Sequence, residues 1–243
     1  MPLQNNPACS KLYCSGENHA WTTMKTRQKI SLILDILIAL LFLIAWLRMI
    51  LAWGDNGTIS ASGFRNLKYF TVLSNLLMGV ASALNVVYTI RKIRKNIDVP
   101  TWITRLRLAG ASAVTLTLLV VLLFLWPVFH IPGLYSGANL WLHLLIPLMA
   151  IASFVLGAKE PISLKESVFS VIPMLIYGAW YVGNNIIYGI GEWPDTRDWY
   201  GFLTWGWGIG ILILIAIILM TWGAGLILRF AHNKVYYGDK NGR

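Results

Sequence analysis

Six long apolar segments, separated by short polar stretches, dominate the sequence. They lie at about residues 30–53, 67–90, 107–129, 139–157, 167–190 and 201–229. Each has roughly the 17–25 residues that a helix needs to cross about 30 Å of hydrocarbon. Backbone groups in lipid must satisfy one another, which favours helices over open sheets. We therefore expect an all-α, polytopic integral membrane protein with six transmembrane helices.

The composition and the ends of the chain agree with this prediction. The chain is 57% hydrophobic and 12% charged, whereas soluble domains are about 25% charged. The first apolar segment is too long for the core of a cleaved signal, which has about 7–15 residues, so we expect it to be retained. The predicted organisation is a polar tail at 1–28, a six-helix transmembrane domain at 29–230 and a polar tail at 231–243.

The distribution of positive charge predicts the orientation. If the N-terminus is cytoplasmic, most of the 20 Lys and Arg residues fall on the cytoplasmic side, and the outer loops hold only Arg65, Lys68 and Arg197. Positive residues favour the inside, so we expect a multi-pass protein of the cell membrane with both termini cytoplasmic. The basic loop at 91–107, which includes Arg105 and Arg107, would face anionic headgroups. The net charge of +10 therefore indicates membrane lipids, and no nucleic acid, as partners.

The sequence shows no sign of a metal or cofactor. Its two cysteines, Cys9 and Cys14, lie in the N-terminal tail and form neither a metal-ligand signature nor a disulfide framework. HExxH, GxSxG and CxxC patterns do not occur. We predict no metal and no cofactor, and the sequence does not indicate the oligomeric state.

Polar residues enter the membrane at one depth. In the stretch Tyr69-Phe70-Thr71-Val72-Leu73-Ser74-Asn75, helical spacing puts Thr71, Ser74 and Asn75 on one face. The predicted orientation places Thr71 about one turn below the outer surface, and it places His143 at a similar depth in the fourth helix. Polar and ionisable groups are costly in the membrane and usually face a cavity or one another.

Other polar residues belong to the same layer. Arg48 lies near the outer end of the first helix, and Asn184 and Asn185 lie near the outer end of the fifth. Tyr181 shares a face with Asn184. We expect these side chains to help line a partly polar cavity beneath the outer headgroups.

Further polar residues have a simpler interpretation as contacts between helices. Hydroxyl and amide side chains commonly hold membrane helices together, and we assign this role to Ser82, Asn85, Thr89 and Ser153. Asp35, near the inner end of the first helix, is expected to neutralise a basic neighbour.

Three prolines are expected to kink helices 3, 4 and 5, because proline removes a helical hydrogen bond. They are Pro127, Pro147 and Pro173. Pro147 lies one turn past His143, where a kink would free backbone carbonyls beside the predicted site.

Two strings carry a resemblance to a known family: Tyr69 to Asn75, quoted above, and Trp141-Leu142-His143-Leu144-Leu145-Ile146-Pro147. Across roughly residues 28–230 the chain resembles the bacterial six-helix (Pr6Pr-type) relatives of the androgen-induced membrane hydrolases, the group that includes the androgen-dependent TFPI-regulating protein. Eukaryotic members are intramembrane hydrolases of fatty acid esters of hydroxy fatty acids, with a threonine nucleophile and a histidine partner. The resemblance implies that these are Thr71 and His143.

The sequence thus suggests a threonine-dependent intramembrane hydrolase of lipid esters. A threonine hydroxyl needs an adjacent base, and histidine is the usual base near neutral pH. Thr71 would attack the ester, and His143 would act as base and then as acid. Asn75 or Asn184, with Ser74 in support, would donate a hydrogen bond to the oxyanion. The substrate would contact Arg48, which would hold a carboxylate, and Tyr181 and Asn185.

Two other classes of function fit the same pattern. A small-molecule or lipid transporter, or a lipid-binding membrane protein, would use the same cavity without catalysis. A structural or assembly protein would use the polar faces only as packing contacts. Turnover of a substrate or a covalent probe separates the hydrolase from both.

Overall fold

The structure is a computed structural model that describes residues 24–51, 63–129, 135–192 and 195–241. Cys9 and Cys14 lie outside the described residues. Six long helices, numbered α1 to α6 in chain order, make up most of the described part, which contains no strand. They are α1 at Thr26–Ile50, α2 at Phe70–Lys95, α3 at Thr101–Leu125, α4 at Gly137–Leu156, α5 at Ile172–Tyr188 and α6 at Trp207–Asn241.

Five of these helices are long and apolar enough to cross a membrane: α1, α2, α3, α4 and α6. The prediction of an all-helical membrane protein is confirmed to this extent. The fifth helix is shorter than the sequence suggested, because Lys165–Ser170 forms a separate 3-10 helix and α5 begins only at Ile172. Pro173 lies in the first turn of α5, where a missing N–H costs nothing. It therefore starts a helix instead of kinking one.

Helix α3 is the centre of the bundle. In the apolar 18-residue stretch of α3, 67% of the residues are buried, whereas 28% are buried in the corresponding stretch of α6. It packs against α2, α4 and α6, while α1 packs against α2 and α4. At Gly110 of α3 an added Cβ would lie 3.1 Å from the Cα of Met78 in α2. The small residue therefore lets two membrane helices approach closely, as is common in such bundles.

The start of α3 corrects the predicted basic loop. Helix α3 begins at Thr101, directly after Pro100, so Arg107 is a helical residue and not a loop residue. It is 3% exposed, and its guanidinium lies 3.1 Å from a carboxylate oxygen of Asp35 in α1. The prediction that Asp35 has a basic partner is confirmed. Each charge offsets part of the cost of burying the other.

Three more helical side chains bind the same carboxylate. The Asp35 oxygens accept hydrogen bonds from Ser82 (3.2 Å), Asn85 (2.6 Å) and Ser153 (2.6 Å). Together with Arg107 these residues form the Asp35 network, which joins α1, α2, α3 and α4. The prediction that these serines and the asparagine connect helices is confirmed.

Helix α6 differs from its prediction at both ends. It begins at Trp207, after Gly206, whose positive φ of 87° ends the preceding turn. It continues to Asn241, so the expected tail boundary at residue 230 lies inside a helix. The final turns are held by polar contacts, since Arg27 at the start of α1 donates to Asp239 (2.7 Å).

Candidate functional site

Two phenol groups hold the beginning of α2, which carries the predicted nucleophile. The backbone N–H of Phe70 donates to the Tyr200 hydroxyl (2.8 Å). The Tyr177 hydroxyl donates to the carbonyl of Lys68 (2.7 Å). The first N–H groups of a helix lack partners within the helix, so Tyr200 supplies the cap that the sequence did not reveal.

Tyr200 acts here as a neutral group. Its ring is partly exposed, but burial of its hydroxyl raises the pKa of Tyr200 to about 12. The phenol therefore stays protonated at physiological pH and can both accept and donate hydrogen bonds. No spacing in the sequence links Tyr200 to Phe70, so the sequence does not predict this contact.

The backbone carbonyl of Thr71 binds two polar side chains on this face of α2. It accepts hydrogen bonds from the Ser74 hydroxyl (3.0 Å) and from the side-chain nitrogen of Asn75 (2.7 Å). The Ser74 hydroxyl also lies 3.2 Å from the hydroxyl of Thr117 in α3. Ser74 is thus a link between α2 and α3, and Thr71 itself is half-buried.

Asn75 connects this face to the segment that carries His143. It is fully buried, and its side-chain nitrogen also donates to the carbonyl of Leu142 in α4 (3.1 Å). The carbonyl oxygens of Thr71 and Leu142 are therefore separated by no more than the sum of the two hydrogen-bond distances. We call this pair of hydrogen bonds the Asn75 clamp. It fixes the first turn of α2 beside the residue that precedes His143.

His143 lies in the middle of a wide helical turn. Residues Trp141–Leu145 form a π-helix, closed by a hydrogen bond from the N–H of Ile146 to the carbonyl of Trp141. Pro147 follows this turn; it has no N–H, and in a regular helix its ring would press on the His143 carbonyl. The expected disturbance at Pro147 therefore takes the form of a π turn, a feature often found at functional sites.

Helix α3 contains a second π turn with the same cause. Residues Val121–Leu125 form it, and Pro127 follows two residues later. Its first residue is buried, but Leu122, Leu123 and Phe124 are exposed. A π turn is therefore not enough to mark a site in this chain, and the burial of His143, which is 8% exposed, is the additional observation.

Arg48 reaches the same turn from α1. Its guanidinium carbon lies 5.8 Å from the ring centroid of Trp141, the first residue of the π turn. A guanidinium over an indole face at this distance makes a cation–π contact. Arg48 and Asn75 thus both contact the π turn that carries His143.

An apolar groove of about 220 Å³ adjoins this region between α2 and α5. It is lined by Phe70, Leu73, Ser74, Pro173, Ile176, Tyr177 and Trp180. Successive helical residues turn by about 100°, which places Thr71 between the direction of Ser74 and that of Asn75. Thr71 therefore lies between the groove and the clamp to the π turn.

Other predicted residues make different contacts. Asn184 donates to the carbonyl of Trp180 in its own helix (2.8 Å), and Asn185 donates to the carbonyls of Tyr181 (2.9 Å) and Arg197 (3.2 Å). The Tyr181 hydroxyl donates to Asp198. The bonds to Arg197 and Asp198 fasten the loop after α5 onto that helix, and none of the bonds named here reaches Thr71 or His143.

The contact between the predicted nucleophile and base is indirect. In the part of the chain that the structure describes, no hydrogen bond joins the Thr71 hydroxyl to His143. Both hydrogens of the Asn75 amide are engaged by carbonyls, so Asn75 holds backbone and does not offer a donor to an oxyanion. Its oxygen is buried with no partner among the described residues. A buried acceptor normally binds a donor, so this atom is suited to a hydroxyl or an imidazole N–H.

The described residues contain no group of three or more His, Cys, Asp or Glu side chains that could hold a metal ion. A comparison of the chain with protein-family models, curated proteins and solved structures finds no match. The function is therefore inferred from the geometry of the site, and the resemblance of its two strings stays a prediction from the sequence.

Proposed function

We propose that the protein is an intramembrane hydrolase of lipid esters in which Thr71 is the nucleophile and His143 is its base. The observation that carries the proposal is the Asn75 clamp, which holds the turn of Thr71 against the π turn of His143. The resemblance of both strings to the androgen-induced hydrolase group supports the same pair of residues.

The proposed reaction has two steps. The Thr71 hydroxyl attacks the ester carbonyl and passes its proton to His143, which returns it to the departing alkoxide as the alcohol leaves. His143 then takes a proton from the water that attacks the acyl-threonine, and it returns this proton to the Thr71 oxygen as the fatty acid leaves. One water molecule or the bound substrate closes the distance between the two side chains, because catalytic hydrogen bonds often tighten only in the complex.

The surroundings favour a substrate with a long chain and a carboxylate. The apolar groove beside Ser74 accommodates part of an acyl chain, and burial of the chain supplies apolar binding energy. Arg48 beside Trp141 offers a guanidinium to a carboxylate. Fatty acid esters of hydroxy fatty acids combine both features. Asn75 is assigned to positioning, because its two amide hydrogens are already bound.

The proposal includes a membrane placement with six spans and both termini in the cytoplasm. Helix α5 has 17 residues, which rise about 26 Å, slightly less than a typical core of about 30 Å. Local thinning of the bilayer accommodates such a short helix at modest cost. Single cysteines at Gly191 and at Lys165, in a cysteine-free chain, test the placement: an impermeant maleimide added outside should label the first and not the second. The reverse pattern would exclude the orientation.

A second candidate is a lipid or small-molecule carrier without catalysis. The observation that favours it is the Asp35 network, an ion pair buried among four helices. Charged groups inside membranes often mark the paths of substrates and ions. A carrier would move a lipid or solute across vesicles without consuming it.

The test of the hydrolase is release of fatty acid from a fatty acid ester of a hydroxy fatty acid by the purified full chain in lipid nanodiscs. Thr71→Ala and His143→Ala should each lower kcat by about 100-fold or more, the range expected for loss of a base-assisted nucleophile. Thr221→Ala is the matched control, because among the described residues its hydroxyl binds only the Ile217 carbonyl within α6 (2.7 Å). Undiminished turnover in either site variant would refute the proposal.

A further inference from the structure

A second cavity, of about 420 Å³, lies at the opposite end of α2 from Thr71. It is enclosed by the beginning of α1, the ends of α2 and α6, and the segment after α4. Five basic residues and one acidic residue contribute to its wall: Lys25, Arg27, Lys92, Lys159, Lys240 and Asp239. We call this cavity the basic pocket.

The acids near the pocket neutralise only part of its charge. Asp239 is shared by two cations, since it pairs with Lys25 (3.0 Å) and with Arg27. Lys92 pairs with Asp98 (2.6 Å), an exposed residue outside the pocket wall. Five cations therefore face two carboxylates, which leaves an excess of three positive charges. The pocket therefore carries an excess of positive charge that matches a group with one or two negative charges.

Lys159 and Lys240 are the two cations of the pocket wall that take no part in these ion pairs. The ammonium of Lys159 donates to the Thr89 hydroxyl (3.1 Å), and that of Lys240 lies 5.6 Å from the ring centroid of Tyr236. Among the described residues, no carboxylate lies within ion-pair distance of either lysine. Both can therefore approach an anion without first breaking a salt bridge.

The environment of Lys159 favours an anion. Its side chain is accessible from the pocket but crowded by protein, and this desolvation, with the charges of Arg107 and Lys92, lowers the pKa of Lys159 to about 8. Asp35 and Glu160 act in the opposite direction with a smaller effect. A bound anion would relieve the repulsion between these cations.

We propose that the basic pocket binds a phosphate group, carried by an anionic membrane lipid or present as free phosphate. A guanidinium and several ammonium groups converging on one space are the donors that phosphate oxygens prefer. The pocket is formed at the ends of four helices that are long and apolar enough to span a membrane, and the ends of spanning helices lie near the lipid headgroups. The proposal is independent of lipid-ester hydrolysis, which involves the other end of α2.

The test is native mass spectrometry of the full chain in detergent, with phosphatidic acid and with diacylglycerol carrying the same acyl chains. The wild type should retain phosphatidic acid and not diacylglycerol. Lys159→Gln and Lys240→Gln should each weaken retention about five-fold, the effect of one basic charge near a membrane surface. The matched control is Lys165→Gln, an exposed lysine outside the pocket, which should bind as the wild type does.

Inorganic phosphate distinguishes the two sources. If phosphate at millimolar concentration displaces phosphatidic acid from the wild type, the phosphate group alone occupies the pocket; if only the lipid binds, the site is a headgroup site. Both results support the proposal. Equal retention by Lys159→Gln, Lys240→Gln and Lys165→Gln would overturn it, as would equal retention of diacylglycerol. Melting temperatures of the variants should match the wild type, so that lost binding is not lost folding.

Discussion

The side-chain nitrogen of Asn75 donates a hydrogen bond to the carbonyl oxygen of Leu142, 3.1 Å away, while it also binds the carbonyl of Thr71 at 2.7 Å. One fully buried amide thus fixes the spacing between the first turns of α2 and the π turn of His143. Spacing of this kind matters for catalysis, because misplacing a reacting group by about 1 Å costs about 100-fold in rate.

Removing the clamp should therefore affect activity more than stability. Asn75→Ala loses two hydrogen bonds, each worth about 1 kcal/mol, and we expect kcat for lipid-ester hydrolysis to fall by about 100-fold. Thr115→Ala is a suitable control, since in the part of the chain that the structure describes its hydroxyl binds only the Ala111 carbonyl of its own helix (2.7 Å). Steady-state kinetics beside thermal unfolding separates the two effects. Unchanged kcat in Asn75→Ala would show that the clamp does not position the site.

The Asp35–Arg107 ion pair should behave as a buried pair. Arg107→Gln leaves the Asp35 carboxylate unpaired among four helices, and we expect it to cost about 3–5 kcal/mol of stability. Asp35→Asn in the same chain removes the uncompensated charge, so the double variant should be more stable than the sum of the single changes indicates. Thermal unfolding in detergent measures all three variants. Strict additivity would contradict a direct interaction.

Gly157 should not tolerate a methyl group. A Cβ added there would lie 2.5 Å from the Ser31 hydroxyl and 2.9 Å from a guanidinium nitrogen of Arg107. Gly157→Ala must displace the Asp35 network and should cost about 1–3 kcal/mol. Gly183→Ala in α5 is the matched control, because its Cβ would meet open space; there the change should stabilise the helix by up to about 1 kcal/mol. Equal melting temperatures for the two variants would argue against tight packing at Gly157.

Lys159 should react with amine reagents at unusually low pH. Because its pKa is lowered to about 8, about half of its amines are neutral at pH 8, whereas an ordinary lysine with a pKa near 10.4 is almost wholly protonated. Labelling should therefore rise with pH and reach half its maximum near pH 8. Quantitative mass spectrometry of the Lys159 peptide measures this midpoint. A labelling midpoint near pH 10 would contradict both the desolvation of Lys159 and the crowding of positive charge around it.

The sequence predicted the parts of the fold that depend on apolar length. Runs such as those of α1 and α2 are determined by hydrocarbon thickness, so their existence could be predicted, and their ends were correct to within a few residues. Helix α5 was placed too early because Pro173 was interpreted as a kink inside a helix and not as its first turn. Local signals alone do not distinguish the two positions.

The sequence could not reveal contacts that depend on tertiary pairing. The sequence places Arg107 in a basic loop, and its pairing with Asp35 depends on a tertiary contact that the sequence does not show. Tyr200 was missed as the cap of α2 for a related reason, since 130 residues separate it from Phe70. The approach of Arg48 and Asn75 to the turn of His143 fits a prediction made from helical rise, while the membrane depth of these residues stays a prediction.

The most direct test of the proposed chemistry is covalent labelling of the purified full chain with a fluorophosphonate probe, followed by mass spectrometry of the modified peptide. In the proposed reaction the Thr71 oxygen attacks phosphorus, fluoride leaves, and His143 takes the proton. We predict an adduct on Thr71 in the wild type and in Thr221→Ala, and at least about 100-fold slower labelling in His143→Ala. An adduct on another residue, or labelling at the same rate without His143, would contradict the assignment of Thr71 and His143 as nucleophile and base.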